Sequence, residues 1–262
     1  GQTLSGYRDT LRKILSLEPP PEHISAYSLI LEEGTILFEK YGKGELELPD
    51  EDTDREMYRE TKEILAQAGY ERYEISNYAK KGYECRHNCG YWRRKNYVGF
   101  GIGAASLMEN VRFRNSADLQ AYLTDPFSCR EEVQQLGEQE QMEEFLFLGL
   151  RMTEGVNCGE FAGLFGCPLE EIYGEVIRKN IHAGLLRYRP GQGETHMRNA
   201  CCRADDRSTE NVQGTESPDC RKDAEPSDNG KPAGDITGSN RFLALTDRGL
   251  DVSNYVMAQF LL

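Results

Sequence analysis

The segment DEDTDREMYRETKEILAQAGYERYEI, residues 50–75, decides the fold class of the N-terminal half of this chain. Its apolar side chains recur at helical spacing on one face, a Pro-Asp pair opens this pattern, and a glycine ends it. The sequence therefore predicts a helix over residues 50–68. An apolar and aromatic run follows at once, and it predicts a strand over residues 70–75.

The neighbouring residues continue this alternation of helix and strand. We predict a helix over residues 5–17, a buried strand over residues 23–31 and a glycine-rich strand over residues 96–106. Alternating strands and helices favour a parallel sheet with helices packed outside. We therefore expect an α/β fold in which residues 1–125 form part of a barrel, with about half of the strands that a closed barrel needs.

The C-terminal region has a different pattern, with helices before a pair of strands. Helices are predicted over residues 143–150, 158–165, 169–186 and 249–262, and a strand over residues 242–246. This order is typical of a winged-helix module, which we assign to residues 126–189 and 241–262. Residues 190–240 contain no aromatic side chain, so they are predicted to be a disordered insertion at the tip of the wing. The cysteines of this insertion, Cys201, Cys202 and Cys220, are either exposed thiols or a metal or redox device.

The overall charge excludes some classes of function. The 262 residues carry 31 basic and 44 acidic side chains, which gives a formal net charge of −13. Nucleic-acid binding needs a basic face, so it is disfavoured. The chain contains neither an apolar run long enough to span a membrane nor a signal peptide, and its cysteines are irregularly spaced. We therefore expect a cytoplasmic protein with reduced thiols.

The segment CRHNCGYW, residues 85–92, concentrates residues that could do chemistry, in a predicted loop between strands. The imidazole of His87 could ligate a metal or a haem iron, and Tyr91 and Trp92 could stack on a flat macrocycle. A histidine packed beside aromatic rings is the more common outcome for such a composition. Zinc bound by His87, Cys85 and Cys89 would lack a fourth ligand.

Several segments in order resemble one family, the oxygen-independent coproporphyrinogen III oxidase-like radical SAM proteins, and within it the haem-chaperone branch. These segments are HISAYSLILEEGT (23–35), PDEDTDREMY (49–58), YERYEISNYA (70–79), EFLFLGLRMTEGV (144–156) and LTDRGLDVSN (245–254). The segment HNCGYW, residues 87–92, fits the HNxxYW pattern of the haem chaperones. The resemblance implies that His87 ligates haem iron, that Tyr91 and Trp92 line the haem site, and that Asn88 shapes it.

The function implied by the resemblance is the binding of haem and its transfer to acceptor proteins. The alternative is an oxygen-independent coproporphyrinogen III oxidase, which decarboxylates two propionates of coproporphyrinogen III in porphyrin biosynthesis. Either parent would act in the cytoplasm. A homodimer is also expected, because unpaired strand edges favour self-association.

The cofactors of the family are a [4Fe–4S] cluster and S-adenosylmethionine (SAM). The cluster is bound through a CxxxCxxC motif, which this sequence lacks. We expect the chain to be a C-terminal part of a longer parent and to be unable to cleave SAM alone. Two SAM-contact positions of the family align with Ile30 and Ala105, although chaperone relatives usually carry histidine at the second position.

Overall fold

The computed structural model describes residues 1–191 and 240–261. Its elements in chain order are α1 (Leu4–Leu15), β1 (His23–Ser25), α2 (Ile36–Gly42), α3 (Glu51–Gln67), β2 (Glu71–Arg72), β3 (Asn77–Ala79), α4 (Arg86–Trp92), β4 (Ala105–Met108), β5 (Val111–Asn115), α5 (Leu119–Thr124), β6 (Arg130–Gln135), α6 (Glu138–Gly149), β7 (Val156–Asn157), α7 (Cys158–Phe165), α8 (Leu169–His182), β8 (Leu186–Pro190), β9 (Arg241–Leu245), α9 (Asp247–Asp251) and α10 (Ser253–Ala258). No helix in these two stretches is both long and apolar enough to cross a membrane.

The first layer packs α1 and α3 against a sheet with strand order β1-β3-β2. Helix α3 begins where the sequence predicts, because the Asp50 side chain accepts a hydrogen bond from the backbone N–H of Thr53 at 2.7 Å. Leu65 on this helix is fully buried and joins Ile24, Tyr70 and Tyr78 in a small core. The helix predicted over residues 50–68 is confirmed to within one residue at each end.

The parallel sheet expected for the N-terminal region is wrong, because the strands paired in the described residues are antiparallel. The connections explain this result. Strands β2 and β3 are separated by residues 73–76 alone, whereas a parallel crossover needs about a dozen residues. Strands β4 and β5 are joined at Glu109 and Asn110, whose φ angles of 49° and 64° are those of a tight hairpin turn.

The second sheet, with order β4-β5-β6, is an antiparallel meander. The glycine-rich strand predicted over residues 96–106 is wrong for most of its length, because β4 begins only at Ala105. Gly101 and Gly103 have φ angles of 99° and 66°, which favour glycine and end an extended strand. A Cβ atom on Gly99 would lie 2.3 Å from the carbonyl oxygen of Ala105, so this loop packs tightly on β4.

The C-terminal region runs α6–β7–α7–α8–β8–β9, and its sheet has the order β7-β9-β8. Strands β8 and β9 pair from Leu186↔Leu245 to Pro190↔Arg241. The helix predicted over residues 158–165 is confirmed, and the one predicted over 169–186 ends earlier, at His182. The single helix predicted over 249–262 is instead α9 and α10, which are separated at Val252. The disorder and thiol predictions for the insertion fall on residues 192–239, outside the described residues.

Helices of this region enclose the main hydrophobic core. The core is built mainly from side chains of α6, α7, α8, α10 and strand β9. Its fully buried members are Leu146, Leu150, Phe161, Leu169, Leu243, Val256, Met257 and Phe260. The predicted helices of this region therefore form because their apolar faces meet one another.

Candidate functional site

The segment predicted as a loop, residues 85–92, is a helix from its second residue onward. Helix α4 spans Arg86–Trp92, and Cys85 precedes it as the capping residue, without a side-chain hydrogen bond to the helix N-terminus. The backbone N–H of Cys89 donates to the carbonyl of Cys85 at 2.9 Å, which closes the first turn. Helical periodicity therefore fixes which of the predicted site residues share a face.

Helix α4 separates the predicted haem residues into two pairs. His87 and Tyr91 are four residues apart, and their ring centroids lie 4.5 Å from each other in an edge-to-face arrangement. Tyr91 continues this contact to Tyr97, again with centroids 4.5 Å apart. Asn88 and Trp92 form the second pair, one residue further round the helix. The imidazole of His87 is exposed, whereas Tyr91 and Trp92 are half-buried.

Trp92 anchors the helix to the rest of the molecule. The guanidinium of Arg151 lies 4.3 Å from the Trp92 ring centroid, a cation–π contact. Arg151 also approaches the fully buried carboxylate of Glu74, with Nη2 to Oε2 at 3.7 Å. The other oxygen of Glu74, Oε1, accepts hydrogen bonds from the Ser76 N–H at 2.6 Å and from the Asn77 amide at 2.7 Å. This chain of contacts fixes the orientation of α4.

The cysteines beside this helix are packing residues in the structure. Cys89 is buried and forms a small cluster with Tyr73, Ala79 and Met152, against which Cys85 and Trp92 pack. Burial raises the pKa of the Cys89 thiol above its ordinary value, which disfavours the thiolate form that metals bind. Across residues 1–191 and 240–261, no group of three or more His, Cys, Asp or Glu side chains is placed to hold a metal ion.

His87 and Tyr91 face a cavity of about 800 Å³. The other residues around this cavity are mostly apolar or aromatic, and they come from the 97–104 loop, β4, β5 and α6. They are Tyr97, Val98, Gly99, Phe100, Ala104, Ala105, Leu107, Arg112 and Leu148. Cavities of this size and composition, with a few polar groups, are typical of small-molecule and cofactor sites.

The wall of this cavity carries charge at one place. Arg112 on β5 directs Nη2 to Oε1 of Glu144 at 2.7 Å, and Arg94 Nε donates to the other oxygen of the same carboxylate at 2.7 Å. Arg94 also donates to the side-chain oxygen of Asn110 at 3.1 Å. Burial raises the pKa of Tyr97, although the charge of Arg112 opposes this shift. The cavity is therefore apolar with a cationic edge.

The two positions aligned with SAM contacts lie in different surroundings. Ala105 begins β4 and lines the cavity together with His87. Ile30 is 78% exposed in the irregular segment after β1, and it is absent from the lining of that cavity. The structure thus brings Ala105 to His87 and Tyr91, and it brings Asn88, Trp92 and Ile30 to other surfaces.

Sequence reasoning missed several residues that complete the cavity, including Tyr97, Leu107, Arg112 and Leu148. These side chains come from a loop, two strands and a distant helix, so no spacing in the sequence connects them. One signal was present for Arg112, because the segment VRFRN alternates cationic and apolar residues as a half-exposed strand does.

Comparisons with known proteins show what this chain is similar to. Residues 136–191 match the family model described as the HemN C-terminal domain. A solved structure titled "Coproporphyrinogen III oxidase (HemN) from Escherichia coli is a Radical SAM enzyme" superposes with a TM-score of 0.60. It is 11% identical, and the match covers 99% of this chain and 52% of that one. At this identity the likeness shows a shared mixed α/β fold.

Two curated relatives are more similar to the chain in sequence than this solved structure is. The "Heme chaperone HemW" of Lactococcus lactis subsp. lactis (strain IL1403) is 38% identical over 187 residues, which are 71% of this chain and 49% of that protein. The "Heme chaperone HemW" of Bacillus subtilis (strain 168) is 36% identical over 190 residues, with the same two coverages. The chain is therefore similar, over 71% of its length, to proteins named heme chaperone HemW, and its residues 136–191 match the HemN C-terminal domain. It spans about half the length of these curated relatives.

Proposed function

We propose that the chain is the haem-binding part of a haem chaperone, which binds haem and passes it to acceptor proteins. The relatives named heme chaperone support this function, and one structural observation carries it. His87 and Tyr91 project from the same face of α4 into a cavity of about 800 Å³ that is lined largely by apolar and aromatic side chains. A flat apolar macrocycle with a central metal requires these two features together.

The residues around the cavity fit a tetrapyrrole. The exposed imidazole of His87 can supply a nitrogen ligand to iron, and the Tyr91 ring restricts its orientation through the edge-to-face contact. Leu107, Leu148 and Val98 supply apolar contacts to the macrocycle. In this proposal Trp92 and Asn88 act indirectly. Trp92 holds the helix through Arg151, and Asn88 lies beside it on the second face.

The cofactors of the family extend the proposal to a longer parent protein. There SAM and a [4Fe–4S] cluster would supply radical chemistry, and Ala105 and Ile30 are the residues of this chain proposed to contact SAM. The described residues offer no group of thiolates for a cluster. The position of Ala105 on the His87 cavity supports a SAM contact close to the haem.

The proposal also includes a division of the chain into two domains. The order α6–β7–α7–α8–β8–β9 with sheet β7-β9-β8 supports a winged-helix-like domain over residues 126–189 and 241–262. Residues 1–125 are proposed to be part of the radical SAM barrel, which the likeness to the HemN fold supports. A cytoplasmic location, haem-acceptor proteins as partners and a homodimer complete the proposal.

A haem titration of the full chain tests the proposed function. We expect haem to bind and shift its Soret band, and we expect His87→Ala to weaken binding by about tenfold or more, because the iron loses its nitrogen ligand. His182→Ala is the matched control, since His182 is also an exposed histidine near a helix end, on α8. This control variant should bind haem as tightly as the unmutated chain does.

Two outcomes would contradict the proposal. The first is that the unmutated chain leaves the Soret band of free haem unchanged. The second is equal weakening by His87→Ala and His182→Ala, which would indicate haem adsorbed on surface histidines. Circular dichroism of each variant checks the fold, which we expect to be retained because both imidazoles are exposed and neither contributes to a core.

A further inference from the structure

The cationic edge of the cavity has more positive than negative charge. Glu144 is a single carboxylate held between two guanidinium groups, those of Arg94 and Arg112. Its side chain is 18% exposed and that of Arg94 is 11% exposed, so this pair is largely shielded from water. Two guanidinium charges thus face one carboxylate within this cluster, and Glu140 and Glu143 line the adjoining cavity that Arg112 also borders.

Arg112 is the member of this cluster that lines the cavity. Arg94 is held at two points, by Glu144 through Nε and by Asn110 through Nη2. Arg112 contacts Glu144 through Nη2, its side chain is 41% exposed, and it lines the cavity that His87 faces. A guanidinium has five N–H donors in a planar fork, so Arg112 can hold Glu144 and still present further donors to a ligand.

We propose that Arg112 recognises a carboxylate of the ligand, so that the cavity selects tetrapyrroles with free propionates over their esters. This inference rests on the proposed haem function and adds a specificity-determining residue to it. The partner chemistry follows from the arrangement, since a planar guanidinium at the edge of an apolar cavity is suited to a carboxylate, which it binds through two parallel hydrogen bonds. Glu144, itself fixed by Arg94, keeps the fork in place.

The arrangement also explains how an apolar cavity accepts an anionic ligand in an acidic protein. Burying a carboxylate beside the apolar residues Leu107 and Leu148 without a partner would be unfavourable. A cation at the edge supplies that partner, while the macrocycle occupies the apolar part. The iron would then face His87 and the propionate Arg112, two separate contacts on one ligand.

Iron-free porphyrins separate these two contacts. We would titrate the full chain with protoporphyrin IX and with its dimethyl ester, and follow protein fluorescence quenching and porphyrin absorbance. Without iron, His87 makes no ligand bond, so the difference between acid and ester reports on carboxylate recognition. We expect the free acid to bind about fivefold more tightly than the ester, a size typical of a partly exposed ion pair.

Variants on strand β5 provide a matched control. Arg112→Gln should bind acid and ester equally, and Arg112→Lys should restore part of the preference, because it keeps the charge without the fork. Arg114→Gln removes the same charge from the same strand, and the Arg114 side chain is 42% exposed and paired with Glu132 at 2.8 Å. Arg114 is absent from the cavity lining, so its variant should keep the parent's preference.

The outcomes distinguish this inference from the proposed function. Equal binding of acid and ester by the parent chain would overturn the inference and leave haem binding intact. Equal loss of preference in Arg112→Gln and Arg114→Gln would also overturn it, since the effect would then be one of net charge. A chain that binds neither porphyrin nor haem would overturn both proposals. Thermal unfolding of Arg112→Gln and Arg112→Lys separates a loss of folding from a loss of recognition.

Discussion

Apolar side chains are buried in the C-terminal region and largely exposed in residues 27–41. In the C-terminal region, Leu146, Phe161 and Phe260 are fully buried against helices of the same region. In residues 27–41, Ile30 is 78% exposed and Ile36 is 73% exposed, and helix α2 contains no buried residue. An apolar pattern therefore predicts structure well only where its partners lie in the same stretch of chain.

The candidate site lies between α6 of the C-terminal region and the stretch of chain from α4 to β5. Helix α4 precedes the second sheet, yet it packs against α6 of the C-terminal region. Leu148 on α6 lines the cavity, and Glu144 on the same helix binds Arg94 and Arg112. The well-packed region thus supplies a rigid wall, and the glycine-rich loop over residues 97–104 supplies the opposite one.

The largest expected effect comes from removing a side chain of the main core. Leu146 on α6 is fully buried, so Leu146→Ala should lower the free energy of unfolding by about 3 kcal/mol through lost contacts and a cavity. Leu29 is 56% exposed, so the same change there should alter it by less than about 0.5 kcal/mol. Urea denaturation followed by circular dichroism measures both. Equal losses would remove the contrast between the two regions.

A glycine pair tests the same contrast in the backbone. Gly155 and Gly34 have nearly equal φ angles, 82° and 81°, so an alanine is strained at either position. A Cβ atom on Gly155 would lie 2.1 Å from the Leu243 carbonyl oxygen, whereas nothing lies within 4 Å of one on Gly34. Gly155→Ala should therefore cost about 3 kcal/mol and Gly34→Ala about 1 kcal/mol.

Thermal unfolding of the two glycine variants checks this expectation, and the difference between them is the informative quantity. Because the φ angles match, the backbone strain cancels and the crowding at β9 remains. A Gly34→Ala variant that is as unstable as Gly155→Ala would mean that residues 27–41 are covered more closely than this structure shows.

The smallest effect concerns an ion pair that joins α9 of the C-terminal region to α3 and β2. Asp247 on α9 contacts Lys62 at 2.7 Å and Arg72 at 3.0 Å, and the hydrogen bond from Lys62 is the main reason that the pKa of Asp247 lies below its ordinary value. A carboxyl group whose pKa is lower in the folded state than in the unfolded state stabilises the fold at pH values above its unfolded-state pKa. This contribution to stability is lost as the pH falls through its folded-state pKa. Asp247→Asn should cost about 0.5 kcal/mol at pH 7, because the carboxylate is largely exposed.

The pH dependence supplies the check on this ion pair. At pH 7, urea denaturation should give a higher free energy of unfolding for the unmutated chain than for Asp247→Asn. The two should begin to converge as the pH falls below about 4, the unfolded-state pKa, and should become equal only below the lowered pKa of the folded state. A difference that stays constant from pH 7 to acid would indicate a packing effect of the substitution instead of a lost charge.

The sequence predicted the helices more accurately than the sheets. The bounds of α3 and α7 follow from capping residues and apolar spacing, which are local. Strand pairing depends on contacts between residues that are distant in the sequence, such as Ile24↔Tyr78. The local sequence pattern therefore could not distinguish parallel from antiparallel strands. The predicted strand over residues 23–31 stops at Ser25, because Leu29 and Ile30 meet no covering layer in the described residues.

For the candidate site, the sequence located the helix and missed its surroundings. The segment at residues 87–92 was singled out by its composition, but its helical form was missed, because the seven residues of helix Arg86–Trp92 carry no apolar repeat. The separation of His87 from Trp92 follows only from that helix. Arg112, Leu107 and Leu148 reach the cavity through tertiary packing, which no short motif encodes.

Chemical rescue by free imidazole tests the central claim most directly, namely that the His87 imidazole ligates the iron of a haem bound in this cavity. His87→Gly leaves space beside Tyr91 for an imidazole molecule, since His87 is exposed and touches that ring. We predict that haem bound to His87→Gly has an altered Soret band, and that added imidazole returns the band to its position in the parent chain. A haem-loaded His87→Gly variant whose spectrum equals that of the parent before any imidazole is added would contradict the account.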